Sequence, residues 1–244
     1  MKVSVFLNIM YTFKIDKIYI LIVLAPFFTM VASAKGIKPD KNPQIDTLFF
    51  NGQDLKGWSA SDMSYWSVKD GAIIGLADKP VQNNQFLWSD VKVKDFYLCV
   101  DILIEPNERN AGIQFRSERE EESGQAIGYQ ADVGREVWGR LYHEHGRGKL
   151  DWTDRGEKVV KSGQWNRYEI LAIGHNIWTA INGTLSVALT DTTGELEGKI
   201  AFQIHSGEAQ TVKYRVIKLV HNPKIKLAGY NKKQLKNELK DISH

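Results

Sequence analysis

The ten residues FYLCVDILIE, Phe96 to Glu105, decide the fold class. Read at the two-residue period of a strand, Phe96, Leu98, Val100, Ile102 and Ile104 share one face, while Tyr97, Cys99, Asp101, Leu103 and Glu105 share the other. The first set is wholly apolar and predicts a core-facing sheet surface. Working outward, short apolar runs alternate with turn signals from Thr47 onward, in SVKDGAIIG, AGIQFRSE, GYQADVGRE, WTAINGTLSVAL and GKIAFQIHSGE, and no long segment shows helical periodicity. Asp70-Gly71 and Asn182-Gly183 tolerate positive φ between strand-like runs, which marks two tight hairpins. The expectation is an all-β, two-sheet antiparallel sandwich.

The same period sorts the polar residues. AGIQFRS places Ile113 and Phe115 together and leaves Gln114 with Arg116 on the reverse face. GYQADVG groups Gln130 with Asp132 against Tyr129, Ala131 and Val133, and AFQIHS turns Phe202 and Ile204 inward with Gln203 and His205 opposite. A merely solvated face carries Lys, Glu, Thr and Ser. Restricted use of Gln, Arg, Asp and His predicts instead that Gln114, Arg116, Gln130, Asp132, Gln203 and His205 line one concave binding face.

The segment AIGYQADVGREVWGRLYHEH, Ala126 to His145, adds aromatics and proton-transfer groups. Tyr129, Trp138 and Tyr142 are candidates for stacking on a sugar ring, against the alternative that they fill the core. His143 and His205 are candidate bases, because an imidazole titrates near neutral pH. Asp132, Glu136, His143, Glu144 and His145 also offer N and O donors. His-x-His shares a strand face if the strand runs that far, so a divalent cation stays open as a cofactor. HExxH, Cys-based zinc spacings, EF-hand loops and Gly-rich phosphate loops are all missing from the sequence.

The 244 residues carry 32 Lys and Arg against 29 Asp and Glu, a net charge of +3. Much of that excess lies in the leader and in PKIKLAGYNKKQLKNELKDISH, so nucleic acid is not an expected partner. Cys99 is the sole cysteine, and no intramolecular disulfide can form. Lys14 and Lys17, the run IYILIVLAPFFTMV and Ala32-Ser33-Ala34 follow the order of a secretory signal peptide. A membrane anchor is the competing reading, but Pro26 breaks a run already shorter than the roughly 20 residues a span needs. The expected organisation is a signal peptide over 1–34, a linker over 35–45, a sandwich over 46–222 and a Lys-rich tail over 223–244. The tail forms either a short amphipathic helix around Lys232 to Asp241 or a solvated appendage. A periplasmic or secreted protein without membrane association follows; oligomeric state has no signature here.

Nine blocks in order carry a resemblance: LFFNGQDLKGW, YWSVKDGAIIG, DFYLCVDILI, NAGIQFRS, GYQADVG, WGRLYHEHGR, QWNRYEILAIG, ING and GKIAFQIHSG. Over about Asp46 to Asn222 the chain resembles the 3-keto-disaccharide hydrolase domain family. The resemblance implies a concanavalin-A-like jelly roll with a carbohydrate-facing concave sheet, acting on glycosides already oxidised at C3. A 3-keto group acidifies C2–H, so a base can remove that proton and expel the C1 substituent by β-elimination, with or without rehydration. On that reading Arg116 stabilises the enolate, His205 or His143 is the base, and Asp132 and Glu144 follow as acid, base or metal ligand. Gln114, Gln130, Gln203, Tyr129, Trp138, Tyr142 and Glu144 contact the sugar. Relatives with GYQAD often continue LYDE where this chain has LYHE at Leu141 to Glu144, which unsettles any role carried to His143. The alternative is a noncatalytic carbohydrate-binding jelly roll. An ordinary retaining glycosidase is disfavoured, since no strand contains Glu-x-Asp-x-x-Glu. The leader predicts that intact-mass measurement of exported protein shows loss of about 34 residues; an uncut product in the membrane fraction contradicts it.

Overall fold

The computed structural model describes residues 14–15, 18–19 and 44–242. The expected signal peptide and most of the expected linker therefore lie outside the described residues, apart from a two-residue pairing of β1 (Lys14–Ile15) with β2 (Ile18–Tyr19). From Lys41 onward the chain is one compact unit. It runs β3 (Gln44–Ile45), β4 (Trp58–Ser59), β5 (Trp66–Lys69), β6 (Ala72–Ala77), β7 (Gln85–Val93), β8 (Phe96–Glu105), β9 (Asn110–Arg119) and β10 (Ala126–Gly134). There follow β11 (Leu141–Glu144), β12 (Gly148–Asp151), β13 (Asn166–Ile173), β14 (Asn176–Ile181), β15 (Thr184–Thr190), β16 (Gly198–Ile204) and β17 (Gln210–His221). A helix α1 (Lys232–Asn237) and β18 (Lys240–Asp241) complete it.

From β3 onward the described strands form two sheets, which is the all-β jelly-roll sandwich expected. One sheet has the order β12-β11-β10-β9-β16-β7-β4; the other has β18-β15-β14-β13-β8-β17-β6-β5, with β3 on β17. Every pairing is antiparallel except β15 with β18. Strand β8 sits centrally in the second sheet, and Phe96, Leu98, Val100, Ile102 and Ile104 are at most 2% exposed. Opposite them pack Leu87, Ile113, Phe115, Ala131, Val133, Leu141, Phe202 and Ile204 from the first sheet. The two-residue period thus places the core where the sequence predicts it. Asp70-Gly71 and Asn182-Gly183 turn the β5–β6 and β14–β15 hairpins with positive φ at all four residues, as a type I′ loop requires. Cys99 is buried and unpaired.

The tail is not a solvated appendage. Asn231 caps α1 through a capping box with Gln234, and Leu227 and Leu235 bury themselves against Leu171, Trp178, Ala180 and Ala188 on the outer face of the second sheet. Trp178 donates its indole N–H to the carbonyl of Leu235 at 2.9 Å. That face carries too many apolar residues for water, and the tail covers it. Leu235→Ala is accordingly expected to cost roughly 2–5 kcal/mol, read as a lower urea midpoint at unchanged m; an unchanged midpoint means that the tail does not dock in solution.

Candidate functional site

The outer face of the first sheet gathers the polar residues. Its register sets Tyr142 beside Gln130, Gln130 beside Gln114, and Gln114 beside Ala201. One rung further, Asp132 lies beside Gly112, and Gly112 beside Gln203. Gln114, Gln130, Asp132 and Gln203 are 0 to 3% exposed and form a floor, while Tyr142, Glu144 and His205 are half-buried. Phe86 and Trp88 extend this face on β7.

The floor is a directed chain of hydrogen bonds. Ser117 Oγ donates to Gln114 Oε1 at 2.9 Å, Gln114 Nε2 to Gln130 Oε1 at 2.6 Å, and Gln130 Nε2 to Asp132 Oδ1 at 2.8 Å. The Asp132 carboxyl is pushed up to about 8, first by burial, against the lowering effect of the Gln130 bond and with a further push from Glu144. It therefore holds a proton at neutral pH, with Oδ1 accepting from Gln130. Burial also raises Glu144, opposed by His145, His205 and His143. His205 Nδ1 lies 2.7 Å from the carbonyl of Ser206. A carbonyl only accepts, so Nδ1 carries hydrogen, and in the neutral tautomer the lone pair is on Nε2.

Several buried polar atoms on this face have no protein partner: both side-chain polar atoms of Gln203, Trp88 Nε1, Asn110 Oδ1 and Arg140 Nε. A buried polar group without a partner costs about 1–3 kcal/mol, so these atoms are ready for a ligand or water. Between Gln203 and Asp132 stands Gly112, where a Cβ would meet the Gln130 side chain at 2.7 Å. Two strand spacings put Gln203 and Asp132 about 10 Å apart, with the Gln130 side chain lying over Gly112 between them.

Arg116 does not share this face. The β9–β16 register shifts between Lys199 and Ala201, and Arg116 takes φ 48° at that irregularity. Its side chain passes to the inter-sheet edge, where it is 1% exposed and donates to the carbonyls of Lys94, Gly174 and Glu195, with Asp95 3.6 Å away. Every direction of the guanidinium is committed, so the expected contact with an enolate is corrected. Sequence parity failed here because a bulge inserts a residue.

His143 is also turned inward, following Leu141 on β11. Its Nε2 donates to Glu195 at 3.0 Å, its Nδ1 accepts from the Arg147 N–H at 3.4 Å, and its ring meets Tyr129 edge-on. Both nitrogens are occupied, which removes it as a base. Tyr129 stacks on Phe115 in the core and donates to Asp191 at 2.5 Å, and Trp138 is fully buried, so neither stacks on a sugar. Tyr142 keeps its place on the face. The metal cluster does not assemble: β11 ends at Glu144, His145 has φ 47° and a side chain 48% exposed, Glu136 is exposed, and His143 faces the other way. No group of three His, Cys, Asp or Glu placed to hold an ion occurs among the described residues.

Sequence reasoning passed over Phe86 and Trp88, although their shared parity around core Leu87 was a readable signal. It also passed over Arg140 and Trp152, which lie just beyond strand ends and carry no periodic signal. On the second sheet, a recess of about 580 Å³ is lined by Tyr97, Glu169, Lys218, Lys224 and Lys226, but Tyr97 already donates to Glu169 at 2.7 Å and no residue selected from sequence reaches it.

Residues 46–220 match the family described as 3-keto-alpha-glucoside-1,2-lyase-like domain. No curated protein matches the chain. Among solved structures, a "putative glycosyl hydrolase" from Parabacteroides distasonis ATCC 8503 superposes with TM-score 0.54 at 18% identity, over 73% of this chain and 94% of its own. Carbohydrate binding module CBM66 from Bacillus subtilis gives TM-score 0.50 at 18% identity, over 66% and 93%. At these identities the likeness is one of fold.

The committed guanidinium yields an expectation about stability. Arg116→Ala leaves three carbonyl acceptors without their donor and is expected to cost roughly 3 kcal/mol or more, read by urea denaturation. A variant as stable as the parent would show that Arg116 is not structural.

Proposed function

The chain belongs to the 3-keto-alpha-glucoside-1,2-lyase-like domain family, and on that premise we propose that it is an exported enzyme cleaving 3-keto-glycosides by elimination across C2 and C1. The observation that carries the reading is Asp132, a carboxyl that stays protonated near neutral pH at the end of an amide chain, on the same face as an unpartnered amide and a histidine with a free Nε2. In this mechanism His205 Nε2 accepts the C2 proton. The C2–H electron pair forms the enolate, and its C3 oxygen takes a hydrogen bond from Gln203 Nε2. The C1–O bond breaks as Asp132 Oδ2–H delivers its proton to the leaving oxygen. Glu144 is close enough to His205 for the histidine to oppose the upward push that burial gives its carboxyl. Water addition at C1, with Asp132 taking the proton the water releases and His205 returning its proton to C2, converts elimination into net hydrolysis and restores both groups.

Two experiments test this. Turnover of a 3-keto-disaccharide is expected to fall as pH rises through about 8, where Asp132 loses its proton. Asp132→Asn should lower that turnover by about 100-fold or more and abolish the alkaline limb, while a 3-keto-glycoside with an aryl leaving group is spared. The linkage sign is fixed: native Asp132 keeps a proton near 8 that the unfolded chain releases at its ordinary 3.8, so Asp132 stabilises the fold below that value and this contribution is lost as pH rises to about 8. Deuterium at C2 should wash out into solvent. Its retention, with no sugar released, would leave a carbohydrate-binding module.

A further inference from the structure

At the β11–β12 edge of the same face, two cations are held over one indole. Arg140 Cζ lies 5.1 Å from the Trp152 ring centroid and Lys149 Nζ lies 4.7 Å from it, while Tyr142 meets that ring at 62° and 6.0 Å. The register explains the cluster. Arg140 offers its carbonyl to the Asp132 N–H at 3.0 Å, and Lys149 pairs with Tyr142, which pairs with Gln130. Arg140, Tyr142 and Lys149 therefore belong to the edge nearest Asp132, on its face of the sheet.

Neither cation has a carboxylate partner in an ion pair among the described residues. The acids close in sequence are engaged elsewhere: Asp151 with Arg155 at 3.5 Å, and Asp154, which Arg140 also reaches electrostatically, with Lys158 at 3.0 Å. Arg140 Nε is buried and has no hydrogen-bond acceptor. An indole holds a cation by its ring face but supplies no counter-charge. Two cations held against one indole without a carboxylate in an ion pair, one of them with an unsatisfied donor, give this edge a positive charge that an anion can meet.

We propose that Arg140 and Lys149, positioned by Trp152, form a subsite for an anionic group, a carboxylate or a sulfate, on the leaving residue of the glycoside. The placement beside Asp132 assigns the group to the leaving side, so this step rests on the proposed role of Asp132. A planar guanidinium and an ammonium together accept either anion, and the two differ in geometry: guanidinium matches both, whereas the point charge of Lys149 does not discriminate between them.

The experiment compares 3-keto-glucosides of glucose, glucuronate and glucose 6-sulfate as substrates for the full chain, with the unoxidised glucosyl-glucuronate as a non-reacting probe in calorimetry. The acidic substrates should be preferred over the neutral one by about tenfold in kcat/KM, the scale of one charge-assisted hydrogen bond, and the preference should shrink with added salt. Lys149→Gln should reduce the ratio of acidic to neutral kcat/KM, and Lys149→Glu should invert it. A ratio near one that Lys149→Glu does not move overturns the subsite while leaving the catalytic reading intact. Conversely, glucosyl-glucuronate bound in a Lys149-dependent way, with no 3-keto-glucoside turned over, supports the subsite and removes the catalytic reading. Preference for only one of the two acidic substrates identifies which anion the pair selects.

Discussion

The buried guanidinium of Arg116 constrains more of this molecule than any other single group. It cannot lose its charge, and burial without partners would be prohibitive, so three carbonyls from distant turns must converge on it. Lys94 belongs to the β7–β8 turn, Gly174 to the β13–β14 turn and Glu195 to the β15–β16 connection. Holding them together fixes one end of both sheets. Glu195 then passes the constraint on: its carbonyl serves Arg116 and its carboxylate accepts from His143. His143 is the inward residue of β11, so the strand that presents Tyr142 and Glu144 outward is pinned from behind. A second anchor, Arg147 with Asp191 at 2.7 Å, ties the β11–β12 turn to the same connection. Burial favours the protonated form of Asp191, yet hydrogen bonds from Arg147 and Tyr129 hold its carboxyl below the usual range.

This arrangement separates two kinds of buried polarity. Behind the first sheet, Arg147 pairs with Asp191 at 2.7 Å and His143 donates to Glu195 at 3.0 Å, so these charges are matched by one another. In front of it, the chain Ser117–Gln114–Gln130–Asp132 is satisfied only up to its last carboxyl, while Gln203 has no partner. Incomplete satisfaction lowers stability, and a fold retains it where something else completes the bonds. Gly112, with no side chain of its own, is what lets the Gln130 side chain lie across β9 toward Gln114.

How much of this was legible follows from the strand period. Wherever a strand is regular, the alternation separates core from face, and β8, β10 and β16 place their residues as the sequence implies. Gln114, Gln130, Asp132 and Gln203 were readable for that reason. Arg116 was not, because an irregularity in the β9–β16 register turns one residue through the sheet and nothing in NAGIQFRS marks it: the positive φ falls on an arginine, not a glycine. Tyr129 and His143 were misassigned by their chemistry although their parity with Ala131 and Leu141 already sent them inward. Trp152 and Arg140 lie where periodicity ends, and only tertiary structure brings them to Lys149.

The inward direction of His143 also gives meaning to the LYHE sequence. An exchange of Asp for His at a position on the ligand face would alter charge beside the reacting sugar. Here the position faces the inter-sheet edge, and the imidazole donates to Glu195 while accepting from the Arg147 backbone. An aspartate in that place would put a second carboxylate near that of Glu195 and lose the donor that Glu195 now accepts from, and like charges so placed oppose one another. Histidine and Glu195 therefore form one complementary pair, and the exchange bears on how firmly the β11–β12 hairpin is held, not on the chemistry in front of it. Glu144, one residue on and facing outward, keeps the acidic group that LYHE shares with LYDE.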